Sequence, residues 1–164
     1  MPAARLDATL RALVDGGVEL VLIGGLAGIV HGAARATYDV DVVYARSPEN
    51  VERLAAALGP LQPYLRGAPP GLPFRWDPAT IRRGLNFTLT TSAGDVDLLG
   101  EVAGGGTYDE LVPFTEKVEV FGRTLLCVTL PKLIELKRAA GRPRDLAALA
   151  EREVLLARRG PSAT

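Results

Sequence analysis

The sequence predicts an α+β domain: a small mixed β-sheet with helices packed on it. Three observations carry this prediction. Helical apolar spacing opens and closes the chain, β-branched runs bounded by glycine lie between, and the strands come first singly around a short helix and later as hairpins. The 164 residues, 48% of them hydrophobic, suffice for one core. A single domain over 1–164 is expected, with the sheet at about 18–128 and C-terminal helices at about 130–157.

Each element has a local reason. Leu6, Leu10, Leu13 and Val14 recur at helical spacing until Asp15-Gly16-Gly17 stops them. "VELVLI" then reads as a central strand ended by Gly24 and Gly25, and Leu26 to His31 as a short helix. Thr37 to Tyr44 alternates as a second strand. Ser47 before Pro48 is an N-cap with proline at the first helical position, and Val51, Leu54, Ala55 and Leu58 form the apolar face that follows. Prolines at 60, 63, 69, 70, 73 and 78 exclude regular structure over most of that stretch. Leu85 to Thr91 and Asp95 to Leu99 make a hairpin turning at Ser92-Ala93-Gly94. Gly104-Gly105-Gly106 is expected to be a mobile loop. "KVEVFGRTLLCV" is a second hairpin turning at Gly122, after which Thr129 caps a helix to about Ala140. Gly141 ends it, and Pro143 starts a last helix whose apolar side is Leu146, Leu149, Val154 and Leu156.

The sole cysteine, Cys127, lies in the apolar run "TLLCVTL" and reads as a buried, inert thiol. The first residues carry arginines and aspartates through their apolar positions, unlike a signal peptide, and no run approaches the roughly 18 apolar residues of a membrane span. A cytoplasmic protein without membrane attachment is expected. Lys plus Arg and Asp plus Glu both number 19, which argues against a broad nucleic-acid footprint. The tail from Thr129 is different, with eight basic residues against four acidic ones; it reads equally as a solvated helical face or a phosphate-facing one.

The chemistry lies in "YDVDVV" and "GDVDLL". Strand side chains alternate faces, so Asp39 and Asp41 share one face, as do Asp95 and Asp97. Carboxylates gathered on neighbouring strands repel one another unless a cation or open water compensates, and an oxygen-only donor set suits Mg²⁺. Gly24 and Gly25, between strand and helix, would let a phosphate approach the backbone closely. Gly24, Gly25 and Gly28 do not have the G-x-G-x-x-G spacing of a dinucleotide-binding fold.

On these residues the chain resembles the DNA polymerase β-like nucleotidyltransferase superfamily, in which Gly-Gly or Gly-Ser at a helix start precedes an Asp-x-Asp strand. "GGLAGIVHGAARATYDVDVV" is most similar to the small bacterial branch related to abortive-infection and toxin-antitoxin nucleotidyltransferases, with His31, Gly32, Arg35 and Thr37 leading into the aspartates. Lys137, Gly141, Arg142 and Asp145 match the closing lysine and Gly-Arg-x-x-Asp of that branch. The resemblance implies the polymerase β-like palm fold with a C-terminal helical pair, and transfer of an NMP from an NTP to an acceptor hydroxyl. It implies two Mg²⁺ ions on Asp39, Asp41 and a third carboxylate. Asp97 matches that third position best, and Asp95 is its alternative. It further implies phosphates held by Gly24 and Gly25, with Arg35 and Lys137 as further nucleotide contacts. The acceptor it allows is an RNA end, a protein or a small molecule, and the chain would be the toxin of a toxin-antitoxin pair, with an antitoxin or other partner protein. The alternative is a non-catalytic binding or partner module of the same fold.

Other residues have plainer readings beside the functional one. His31 has no second ligand at zinc spacing and reads as a packing or hydrogen-bonding group. Arg35 binds phosphate or pairs with an aspartate, and Lys137 contacts a triphosphate or extends into solvent. Arg142 and Asp145, three residues apart, read as a local helical salt bridge. Trp76 anchors the proline-rich loop, with base stacking as the other possibility.

Overall fold

The computed structural model of the protein describes residues 4–141 and 154–158. Within them, α1 (Leu6–Asp15), β1 (Leu20–Ile23), α2 (Gly24–Val30), β2 (Asp39–Tyr44) and α3 (Pro48–Leu58) come first. β3 (Tyr64–Leu65), α4 (Pro78–Arg83), β4 (Asn86–Thr91), β5 (Gly94–Leu99), β6 (Glu101–Val102) and β7 (Gly106–Thr107) follow. The series ends with α5 (Tyr108–Leu111), β8 (Thr115–Val120), β9 (Arg123–Val128) and α6 (Leu130–Ala140). Seven strands form one mixed sheet in the order β3-β4-β5-β2-β1-β9-β8, and β6 and β7 make a separate hairpin. The architecture is α+β. No helix among the described residues is long and apolar enough to cross a membrane.

β1 and β2 sit at the centre because their residues tolerate burial on both faces. All four β1 residues are buried, and Val40, Val42, Val43 and Tyr44 of β2 have no exposed surface. β1 runs antiparallel to β2 and parallel to β9, while β2 runs parallel to β5. α1 packs on α3 and α3 on α4, and α2 packs on α6.

Asn50, a residue the sequence pattern left unmarked, ties the central strands to α3. Its Oδ1 accepts from the Glu19 N–H at 2.7 Å, and its Nδ2 donates to the carbonyls of Ala45 (2.7 Å) and Glu19 (3.1 Å). Ser47 caps α3 as expected, its hydroxyl accepting from the Asn50 N–H.

Several expectations need correction. α2 begins at the glycines themselves, two residues before Leu26, and β2 begins at Asp39. The proline-rich stretch contains the short edge strand β3, and Asp77 with Pro78 starts α4, where the Asp77 carboxylate accepts from the Thr80 N–H at 2.8 Å. The 104–106 glycines form no free loop. A Cβ on Gly104 would come within 2.7 Å of Ala139, and one on Gly105 within 2.8 Å of Leu136, so their function is close approach of the β6–β7 hairpin to α6. Thr129 adopts a capping backbone but its side chain makes no cap hydrogen bond; its carbonyl accepts from Leu133 N–H. Arg142, Asp145, Leu146, Leu149 and the start of the last helix lie outside the described residues. Residues 154–158 are helical, with Leu155 and Leu156 packed on the core and Val154 half exposed, so Val154 does not belong to the apolar side.

Asn50→Ala should cost about 2–3 kcal/mol, because it leaves the part-buried Glu19 N–H and the buried Ala45 carbonyl without Asn50. Urea unfolding monitored by circular dichroism would measure the loss, with the slope of the transition unchanged.

Candidate metal and nucleotide site

Register creates the site. Asp39 lies opposite Asp95 and Asp41 opposite Asp97 across the parallel β2–β5 pair, and Ile23, the last residue of β1, lies opposite Asp41. With side chains alternating, Val40 and Val42 point to the opposite face, and all four carboxylates border one cavity of about 630 Å³. Asp39, Asp41 and Asp97 each offer an oxygen such that the three lie within 4.8 Å of one another, a group able to hold a metal ion. Asp95 stands outside that trio, and its carboxylate lies 3.2 Å from Arg66.

The nucleotide-contact candidates line the same cavity. Gly24 and Gly25 close one end of it, and Arg35 and Lys137 contribute positive charge. The glycines serve the carboxylate side as well. Gly24 has φ of +71°, and a Cβ there would come within 2.1 Å of Asp41 Oδ2; a Cβ on Gly25 would come within 2.8 Å of the Thr37 hydroxyl. Only glycine combines that backbone with that contact. Thr37 in turn donates its hydroxyl to Asp39 Oδ1 at 3.3 Å.

Electrostatics follow from the crowding. Burial pushes the Asp41 carboxyl up to about 8, aided by a hydrogen bond to Asp97 and by the negative charges of Asp39 and Asp97, while Lys137 pulls the other way. Asp41 therefore holds a proton well above the ordinary carboxylate range in the metal-free protein. Hard oxygen donors, close spacing and partial burial fit a divalent cation such as Mg²⁺, which would replace that proton.

Other candidates fall outside the cavity chemistry. His31 is buried, with Nε2 2.7 Å from the Val128 carbonyl oxygen and Nδ1 3.8 Å from Glu116, so it joins the end of α2 to β9. Cys127 is fully buried, and burial pushes its thiol up to about 12, as expected of an inert cysteine. Trp76 does not border the cavity; it packs edge-to-face on Phe87 at 5.6 Å and anchors its loop.

Arg66 is the residue that sequence reasoning missed. Its Nη2 donates to Asp97 Oδ1 at 2.8 Å, and it stands in a loop whose prolines obscure any periodic signal. The only hint was a cation followed by glycine in "YLRG". Tyr38, three-quarters exposed at the cavity mouth, was also unmarked. A scan against protein-family models gave no match, and no curated protein matches the chain.

The Asp41 proton has a measurable consequence. Its folded pKa lies above the ordinary 3.8, so between the two values the folded protein retains a proton that the unfolded chain has released. In EDTA, the melting temperature should fall as pH rises from about 5 to 8. Asp41→Asn should flatten that slope. Thermal melts of both proteins at several pH values decide it, and equal slopes would count against the assignment.

Proposed function

We propose that the chain is a metal-dependent nucleotidyltransferase with the polymerase β-like fold, moving an NMP from an NTP to an acceptor hydroxyl. The observation that supports this reading most directly is the carboxylate trio Asp39, Asp41 and Asp97 bordering a cavity that also holds Gly24, Gly25, Arg35 and Lys137. A dinucleotide-binding site would need a different glycine spacing and a single ribose-binding acid. Two Mg²⁺ ions held by the three aspartates would supply stabilisation of the attacking and leaving oxygens of an in-line displacement.

The chain's own residues supply the rest. Gly24 and Gly25, in the cavity wall, would cradle the β- and γ-phosphates of the triphosphate, and Lys137 and Arg35 bring positive charge to it. The acceptor oxygen bonds to the α-phosphorus, the bond from that phosphorus to the α–β bridging oxygen breaks, and pyrophosphate leaves with that oxygen. A carboxylate of the trio beside the acceptor hydroxyl takes its proton. The acceptor class, an RNA end, a protein or a small molecule, rests on the sequence resemblance alone. So does a toxin role with a cognate antitoxin.

Isothermal titration of each of the four NTPs in Mg²⁺ tests the reading. Wild-type protein should bind at least one NTP in a magnesium-dependent manner, and the Asp39→Ala/Asp41→Ala variant should lose that binding. Absence of NTP binding with and without metal would favour the non-catalytic partner module instead.

A further inference from the structure

The proline-rich segment between α3 and α4 is built to deliver one side chain. Tyr64 and Leu65 pair with Thr90 and Leu89, and the Arg66 N–H donates to the Thr88 carbonyl at 3.1 Å, so the backbone at Arg66 is tied to the sheet edge. Behind it, ring contacts run from Tyr64 to Phe74 (6.0 Å), Phe74 to Trp76 (6.5 Å) and Trp76 to Phe87 (5.6 Å). These rings fasten the returning half of the loop to β4.

From that position the guanidinium reaches across β4 to β5. Nη2 donates to the Leu89 carbonyl and to Asp97 Oδ1, each at 2.8 Å, and shares a longer contact of 3.3 Å with the Val96 carbonyl. Nε stands 3.2 Å from Asp95 Oδ2 as an ion pair outside hydrogen-bond geometry. Two of these partners are backbone carbonyls. Arg66 is thus held by the fold itself and does not depend on free carboxylates to stay in place. Its guanidinium engages one oxygen of Asp97 and stands beside Asp95.

We propose that Arg66 is a positioning residue of the metal centre, fixing the Asp97 carboxylate so that Asp39, Asp41 and Asp97 present a preformed set of oxygens to a divalent cation. This rests on the metal reading given above. The two physical effects of Arg66 oppose one another, which makes the proposal sharp. By charge alone, a cation beside a ligand weakens binding of another cation, so removing it should tighten binding. Orientation of a ligand acts in the other direction, and losing such a partner typically weakens metal affinity about 10- to 100-fold.

The test is Mn²⁺ binding to the full chain, followed by the electron paramagnetic resonance signal of free Mn²⁺, for wild type, Arg66→Gln and Arg66→Lys. Melting temperatures in EDTA confirm that each variant is folded. Arg66→Gln should bind Mn²⁺ about 10- to 100-fold more weakly. Arg66→Lys, which keeps the repelling charge and loses the fork, should bind Mn²⁺ no more tightly than Arg66→Gln. If Arg66→Gln binds as tightly as wild type, or more tightly, the assignment is overturned and the metal reading stands. Failure of the wild type itself to bind Mn²⁺ overturns the metal reading and the assignment with it. Should Arg66→Gln fail to fold, Arg66→Lys decides alone: weaker binding supports the assignment and equal or tighter binding overturns it.

Discussion

The parallel pairing of β2 with β5, in the register that sets Asp39 beside Asp95 and Asp41 beside Asp97, is the constraint to which the surrounding structure answers. Adjacent strands lie about 4.8 Å apart, so this register brings like charges together at a spacing that water alone would not favour under partial burial. The neighbours are chosen accordingly. Gly24 leaves the space that the Asp41 carboxylate occupies, Thr37 donates to Asp39, Arg66 engages Asp95 and Asp97, and Lys137 acts on Asp41 through space. Each would be dispensable if the strands were offset by one residue, because the carboxylates would then leave this face.

The remaining elements keep that register and the cavity walls rigid. β1 and β2 are apolar wherever they do not border the cavity, which lets them sit at the centre of seven strands. Asn50 closes their ends against α3, and His31 joins α2 to the end of β9. The glycines of the β6–β7 hairpin let it lie directly on α6 near Leu136 and Ala139, and the same helix brings Lys137 to the cavity. A segment that looks like a flexible loop in the sequence thus buttresses the helix carrying a site residue.

Much of the site was legible because strand alternation and short-range motifs are local properties. Asp-x-Asp twice, with Gly-Gly fourteen residues ahead of Asp39, named the carboxylates and the glycines. The preference for Asp97 over Asp95 is legible in outline, since Asp95 adjoins the turn glycine, but the contacts of Arg66 with both aspartates are not. Arg66, Asn50 and the packing of Gly104 depend on contacts between residues far apart in sequence, and no periodicity encodes them. The short elements β3, α4 and α5 span two to six residues, too few for a hydrophobic period to register. Capping chemistry is local and legible at Ser47-Pro48, whereas Asp77-Pro78 carries the same signal hidden among neighbouring prolines.

The charge balance of the cavity explains why such a costly cluster can persist in a folded chain. Asp39, Asp41, Asp95 and Asp97 face Arg35, Arg66 and Lys137, so the bordering side chains carry one more acid than base. A proton on Asp41, whose carboxyl is raised by burial, by its hydrogen bond to Asp97 and by the neighbouring negative charges, brings that set to neutrality. A divalent cation entering among Asp39, Asp41 and Asp97 would release the proton and turn the local excess positive, and a polyanion such as a triphosphate would then be drawn in to offset it. By charge alone, metal-free stability and metal affinity are therefore opposed properties of the same three aspartates: a positive charge that lowers their repulsion in the empty site also lowers its attraction for a cation, unless it orients a ligand as well. Arg66 lies on that balance, close enough to relieve Asp97 and fixed firmly enough by backbone carbonyls to leave the trio assembled.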